Sequence, residues 1–182
     1  MRALASFADR DPVPWANGAG QTTELVSLSD SAQLTPGLRP WRLSIARLER
    51  LGPFSALPGM ARTFLPTAEV ALEIDGRVHP VPALQPERFH GSQDVSLVDM
   101  AEPCFAVNLM VADSGKEPET GSGELQMSID QPAPTDGYRF VLALESSAEY
   151  PRFQLLELET GEAVPNEVSV AVLHAERAAT HI

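Results

Sequence analysis

Two arginines occupy positions from which a β-strand could direct them into a ligand site. Arg42 and Ser44 share one face of an alternating run whose other face is apolar. Arg62 follows a Pro-Gly turn at the start of another such run. The planar guanidinium group matches the two oxygens of a carboxylate, so an inward-facing arginine would bind an acid. If the face points outward, Arg42 and Ser44 are ordinary surface groups.

One amide stands in a strongly apolar run. The face of residues 104–111 that carries Asn108 also carries Cys104, Ala106 and Met110, which are small or flexible apolar neighbours. A buried amide without hydrogen-bond partners costs about 1–3 kcal/mol. Asn108 therefore bonds to the backbone of a turn or to a ligand in a cavity, and its small neighbours leave room for a ligand.

Two further polar side chains alternate on one face after the Asn17-Gly18 turn. These are Thr22 and Glu24. Glu24 could pair with either arginine. Such a pair serves equally well as a structural ion pair or as part of a binding site.

The sequence has no recognisable signature for a metal, a nucleophile or a phosphate. The histidines at 79, 90, 174 and 181 form no HxH or HxxxH pair. Cys104 lies in an apolar run typical of an unreactive thiol. The chain has no GxSxG motif, and its Gly18-Ala19-Gly20 stretch lacks a helical phosphate-loop context. We therefore predict no metal and no cofactor.

Period-two patterns dominate the elements that must position these residues. Trp41–Leu48 and Val70–Ile74 alternate, and the latter ends at Asp75-Gly76, which favours a two-residue hairpin. Further strands are predicted at 95–98, 104–111, 124–129, 139–144, 153–158 and 168–174, and at most a short helical turn at 175–182. Strands at such regular spacing indicate an all-β sandwich or barrel.

One polar segment divides the chain. Residues 112–123 contain Gly, Ser and Pro without periodicity, and therefore predict a linker. It separates residues 1–111 from residues 124–182. The second part is short for an independent jelly roll, so the two halves are expected to share strands.

The charge distribution excludes several classes of partner. The net charge is −12, and residues 92–182 account for all of it. Because nucleic acids and anionic membranes require a basic surface, neither is an expected partner. No apolar stretch approaches the length of a membrane helix. No secretory signal precedes the first strand, and the only cysteine is Cys104, so we expect a cytoplasmic protein.

Several motifs together resemble the HutD/Ves family of bacterial proteins. The chain contains W-x-N-G-x-G-x-T-x-E from residue 15, W-R-L-S-x-A from residue 41 and G-P-F-S-x-x-P-G from residue 52. Arg62, Phe89 with Gly91, and Asn108 with Met110 follow in the family order. The resemblance covers residues 13–111. Ala61 departs from the pattern, because the family commonly has an acidic residue before this arginine.

The resemblance implies a bicupin, with two jelly-roll halves in one chain and without the metal-binding histidines of cupins. It also implies a regulatory protein that binds a small molecule, such as the histidine-breakdown acid formylglutamate, or one linked to stress. We accordingly expect a metal-free binder of a small carboxylate rather than an enzyme. The expected ligand-binding residues are Trp15, Asn17, Thr22, Glu24, Arg42, Ser44, Arg62, Phe89, Asn108 and Met110.

Two alternatives stay open. In the first, the protein is a cupin-type isomerase or hydrolase of a small carboxylate, with Glu24 as the general base. In the second, the acidic second half binds a basic partner protein. A homodimer through exposed sheet edges is also possible.

Overall fold

The computed structural model describes residues 1–113, 124–130, 137–166 and 169–175. The described residues form strands and two short helices, and the predicted all-β class is confirmed. In chain order the elements are β1 (Arg2–Ser6), a 3-10 turn (Phe7–Asp9), β2 (Val13–Pro14), β3 (Gly20–Val26), α1 (Leu28–Leu34), β4 (Trp41–Leu48), β5 (Gly52–Pro53), β6 (Met60–Pro66), β7 (Val70–Ile74), β8 (Arg77–Val81), β9 (Glu87–His90), β10 (Val95–Met100), β11 (Cys104–Ala112), β12 (Gln126–Ile129), β13 (Tyr138–Ala143), β14 (Gln154–Glu157) and β15 (Val170–Ala175).

A six-stranded antiparallel sheet lies at the centre of the fold, in the order β2-β3-β4-β11-β6-β9. Its two middle strands, β4 and β11, are the ones whose alternation is clearest in the sequence. Both faces of this sheet are covered, because odd-numbered and even-numbered residues along β4, which point to opposite faces, are both buried. Trp41, Leu43 and Ile45 join one core, whereas Ala46 and Leu48 join another.

A four-stranded sheet, β5-β10-β7-β8, contributes to the second of these cores. Leu72 and Leu97 from this sheet are buried in the same cluster as Phe64 of β6. The hairpin between β7 and β8 turns at Asp75-Gly76, as predicted, with φ values of 49° and 77°. These strands and the central sheet form the first sandwich, which holds the site described below.

The other core is built from both parts of the chain. Leu43 and Leu109 of the central sheet cluster with Phe140, Leu155 and Leu173 of a five-stranded sheet, β1-β14-β13-β15-β12. The first strand of the chain completes the five-stranded sheet, because Arg2 pairs with Glu157 in the β1–β14 ladder. The amino-terminal strand therefore belongs to the sheet that the carboxy-terminal part forms.

The sequence pattern did not predict helix α1. It begins with a capping box, in which the Ser27 hydroxyl accepts from the Asp30 N–H at 3.1 Å and the Asp30 carboxylate accepts from the Ser27 N–H at 3.2 Å. The Ser27 hydroxyl also donates to the Asp30 carboxylate at 2.7 Å, and this bond, followed by the bond from the Ser27 N–H, lowers the pKa of Asp30. The helix fixes the start of β4, since Ser31 Oγ accepts from the Trp41 N–H at 3.0 Å.

Two predicted segments lie largely outside the described residues. Of the predicted linker, only residues 112 and 113 are described, and of the predicted turn at 175–182 only Ala175 is, as the last residue of β15. No helix in the described part of the chain is long and apolar enough to cross a membrane.

Candidate functional site

A cavity of about 450 Å³ opens in the first sandwich, over the face of the central sheet that carries Arg42 and Ser44. Strands β3, β4, β6 and β11 form its floor, and the turn before β3 and residues 53–57 form its rim. It is lined by Trp15, Ala16, Asn17, Thr22, Arg42, Ser44, Ala46, Leu48, Pro53, Phe54, Ser55, Leu57, Arg62, Phe64, Asn108 and Met110.

Strand register explains why these polar groups meet. Met110 of β11 pairs with Arg42 of β4 on one side and with Arg62 of β6 on the other. In the next row that faces the cavity, Asn108 pairs with Ser44 in the same way. Directly opposite residues in antiparallel strands point to the same side of the sheet. The two arginines therefore flank Met110 across three adjacent strands.

Arg62 is the most deeply buried cation of the cavity. Only 8% of its surface is exposed. Its Nη2 donates to Asn108 Oδ1 at 3.3 Å and its Nη1 donates to the Ser55 carbonyl oxygen at 3.4 Å, both long bonds. Its Nε is buried without any hydrogen-bond partner among the described residues. Its guanidinium carbon lies 5.0 Å from the ring centre of Phe89 and 5.6 Å from that of Phe54.

The charge of Arg62 has no acidic partner among the described residues. No carboxylate forms an ion pair with Arg62 among the residues that the structure describes. Burial, and to a smaller degree the positive charge of Arg42, lower the pKa of Arg62 to about 10. At neutral pH the side chain is still protonated, so the cavity contains a buried cation for which the described part of the chain supplies no counterion.

Arg42 has a different environment. Its Nε donates to Glu24 Oε2 in an ion pair, and its Nη1 lies 3.8 Å from Met110 Sδ. The pair lies nearer the solvent, with 27% of the Arg42 side chain and 45% of the Glu24 side chain exposed. The cavity therefore has one guanidinium, that of Arg42, whose charge is balanced by Glu24, and one, that of Arg62, that has no acidic partner among the described residues.

The Trp15–Gly20 turn forms one wall of the cavity. The Trp15 N–H donates to the Gly20 carbonyl oxygen at 2.9 Å, and the Trp15 indole N–H donates to Thr22 Oγ1 at 2.8 Å. Asn17 closes the turn by accepting from the Ala19 N–H at 2.9 Å. A Cβ on Gly20 would lie 2.3 Å from the Arg47 carbonyl oxygen, so only glycine fits there. These contacts explain the residue types of the turn motif.

Eight of the ten expected ligand-binding residues line this cavity: Trp15, Asn17, Thr22, Arg42, Ser44, Arg62, Asn108 and Met110. Glu24 and Phe89 do not line it. Glu24 instead pairs with Arg42, and Phe89 lies against Arg62, so each contacts an arginine that lines the cavity. The Glu24–Arg42 pair is one of the two pairings that the sequence allowed, and direct contact of Glu24 or Phe89 with a ligand stays a prediction.

Sequence reasoning missed the segment that covers Arg62. Phe54 and Ser55 line the cavity and contact the guanidinium group, by its face and by a carbonyl oxygen respectively. The segment is fixed at both ends, because the Phe54 N–H donates to Val95 at 2.8 Å and the Leu57 N–H donates to Gly91 at 2.8 Å. The G-P-F-S motif contains Phe54 and Ser55 and was the available signal.

Metal binding, cysteine chemistry and a second binding cavity have less support in the described residues. They contain no group of three or more His, Cys, Asp or Glu that could hold a metal ion. Cys104 is a free, buried thiol whose pKa is raised by burial. A second cavity of about 340 Å³ is lined by Arg88 and His90, which are more exposed than Arg62, and also by Arg62 itself and Glu124.

The HutD family model matches residues 7–162. The chain belongs to the HutD family. The predicted membership is thereby confirmed, and no curated protein matches the chain at a significant level.

Solved structures show that the fold is cupin-like. HutD from Pseudomonas fluorescens SBW25, solved in a formate condition, is 21% identical with a TM-score of 0.67, over 94% of this chain and 96% of that chain. A conserved protein of unknown function from Pseudomonas aeruginosa PAO1 is 22% identical with a TM-score of 0.70, over 96% and 97%. A mutant of Bacillus subtilis oxalate decarboxylase is 8% identical with a TM-score of 0.59, over 97% of this chain and 77% of that chain. At such identities these likenesses show the fold alone.

Proposed function

We propose that this HutD protein binds a small carboxylate-bearing metabolite in the 450 Å³ cavity, with Arg62 as the anion receptor. The observation that carries this proposal is the buried, unpaired guanidinium of Arg62. A buried charge without a partner is costly, and a bound anion removes that cost. The cavity volume lies within the range of small-molecule sites.

The other groups complete such a site. The Asn108 carbonyl oxygen accepts from Arg62, so its amide N–H groups remain for a ligand oxygen. The Ser44 hydroxyl lies in the same row. Trp15, Phe54 and Phe64 supply apolar surface for the rest of the ligand.

Binding without turnover is the function that the geometry favours. The candidate base Glu24 does not line the cavity and is held by Arg42. A general base must lie within hydrogen-bond reach of the proton that it removes. We therefore propose a regulatory binding protein, located in the cytoplasm, that senses an acid such as a product of histidine breakdown.

A thermal-shift screen tests the proposal. Acetate, pentanoate, glutarate and formylglutamate would each be added to the wild-type protein and to Arg62→Met. A ligand at about a hundred times its Kd stabilises the protein by about 2.7 kcal/mol, which raises Tm by about 5 °C or more in a domain of this size. We expect at least one acid to raise Tm in the wild type and none in Arg62→Met.

The matched control is Arg47→Met. Arg47 lies on β4 near the cavity, but it is exposed and paired with Glu49 at 3.3 Å. This variant should retain the full thermal shift. If no acid shifts Tm of the wild type, or if Arg62→Met responds as the wild type does, the proposed function is wrong.

A further inference from the structure

The charges around the cavity do not balance. Among its described lining residues, Arg42 and Arg62 are the charged ones, and both are cations. Glu24, which lies just outside the lining, pairs with Arg42. The cluster therefore carries two positive charges and one negative charge, leaving one cation uncompensated.

We infer that Glu24 determines which acids this site accepts: by neutralising Arg42, it leaves a single free cation, Arg62, and makes the cavity selective for monocarboxylates over dicarboxylates. This inference rests on the proposed function. It assigns Glu24 a specificity-determining role without contact to the ligand.

The positions of the two arginines make this selection possible. Their strands lie on either side of β11, so their backbones are about 10 Å apart, which is two strand spacings. Both side chains reach the same cavity, and Met110 lies between them. A linear dicarboxylate could place one carboxylate on Arg62 and direct the other towards Arg42.

Glu24 opposes the second carboxylate. It lies opposite Ser44 in the β3–β4 ladder and accepts from the Nε of Arg42. A second carboxylate near Arg42 would meet the like charge of Glu24, or would have to displace it from its partner. Like-charge contact of this kind is a common means of rejecting an unwanted ligand.

The first carboxylate, at Arg62, meets no like charge among the described residues that line the cavity. Arg62 has no acidic partner among the described residues, and its terminal nitrogens make only the long bonds to Asn108 and Ser55. Its burial strengthens an interaction with an anion relative to the same contact in water. A monocarboxylate therefore neutralises the site, whereas a dicarboxylate leaves it with a net negative charge.

Formylglutamate carries two carboxylates. We therefore expect it to bind the wild-type cavity more weakly than a monocarboxylate of similar size does.

The test compares pentanoate and glutarate, which have equal chain length and carry one and two carboxylates, by calorimetric titration at neutral pH. The variant is Glu24→Gln, whose amide oxygen can still accept from Arg42 but carries no charge. We expect the wild type to bind pentanoate more tightly than glutarate. In Glu24→Gln the ratio of the two affinities should shift towards glutarate by about tenfold, a value that allows for the partial exposure of the pair.

A purely structural role for Glu24 gives a different result, because losing a support for Arg42 would weaken both acids alike. The matched control is Glu49→Gln, which removes the acid of the exposed Arg47 pair and should leave the ratio unchanged. The shift in Glu24→Gln should also shrink in high salt.

The outcomes separate this inference from the proposed function. If pentanoate binds the wild type but the ratio is the same in Glu24→Gln, or if the wild type prefers glutarate, the role of Glu24 is wrong and acid binding stands. If neither pentanoate nor glutarate binds the wild type, this inference fails, and the proposed function fails with it only if acetate and formylglutamate also leave the wild-type Tm unchanged.

Discussion

Burial of the Arg62 guanidinium destabilises the folded protein, but it also supplies the cation that we propose binds the ligand. Its buried cation has its pKa lowered to about 10, and its Nε has no partner in the described structure. The depression corresponds to a cost on the order of 3 kcal/mol at neutral pH. Contacts with the rings of Phe54 and Phe89 offset part of it, at about 1 kcal/mol each.

We therefore predict that Arg62→Met stabilises the ligand-free protein. Methionine fills a similar space without a buried charge, and the net gain should be about 1 kcal/mol, or about 2–4 °C in Tm. Differential scanning calorimetry without added acids measures it, with Arg47→Met as the exposed control. A lower Tm for Arg62→Met than for Arg47→Met would show that Arg62 stabilises the empty protein.

Residue types alone could identify part of this site. The sequence identifies Asn108 because an amide in an apolar run needs a hydrogen-bond partner, and Arg62 because it follows a turn at the start of a strand. The sequence could not place Phe89 against Arg62 or Glu24 outside the cavity, because those positions depend on pairing between distant strands. Residue type does not single out Phe54 and Ser55, because neither side chain carries a charge that calls for a partner.

At the scale of elements, the strands with clear alternation are predictable from the sequence, whereas β1, β9 and helix α1 are not. Trp41–Leu48 and Val70–Ile74 have the predicted bounds, because alternation repeats over five residues or more in each. Helix α1 has only seven residues, which is too short for a periodic pattern. Its capping box, Ser27 with Asp30, was the only local signal.

The hairpin between β7 and β8 provides a test at this scale. The carboxylate of Asp75 accepts from Gln93 Nε2 at 2.8 Å and from the Asp94 N–H at 3.0 Å, which ties the turn to the segment before β10. These two bonds lower the pKa of Asp75. A carboxyl group whose pKa is lowered by folding stabilises the protein above its unfolded pKa, and this contribution is lost as pH falls through the folded pKa.

We predict that Asp75→Asn is less stable than the wild type at pH 7 and that the difference narrows as pH falls below about 4. Asparagine tolerates the positive φ of this position, so the backbone is not strained by the change. Urea unfolding at pH 7 and at pH 3 measures the difference, with exposed Glu73→Gln on β7 as the control. A stability gap that is the same at both pH values would contradict this account of the turn.

At the scale of the whole molecule, the two parts of the chain share a core and a sheet. Trp41 and Leu109 pack with Phe140 and Leu173, and β1 pairs with β14. The cupin-like architecture could be expected from the family resemblance, whereas the β1–β14 pairing could not. It joins residues about 150 positions apart, and no local pattern specifies such a contact.

This sharing predicts that the protein unfolds as one cooperative unit. Trp15 reports on the cavity and Trp41 on the shared core, and the sequence has no other tryptophan. In Trp41→Phe and in Trp15→Phe, the remaining fluorescence and the far-UV circular dichroism should therefore lose signal at the same urea concentration. Separate midpoints within either variant would mean that the two parts unfold independently.

The central claim is that a carboxylate binds to Arg62 within the first sandwich. A crystal structure of the wild-type protein with pentanoate tests it most directly. The account predicts a carboxylate within hydrogen-bond distance of a terminal nitrogen of Arg62, with the Glu24–Arg42 pair intact and the alkyl chain beside Trp15 or Phe54. Pentanoate bound only elsewhere, or a cavity without it at a concentration that saturates binding in solution, would contradict the account.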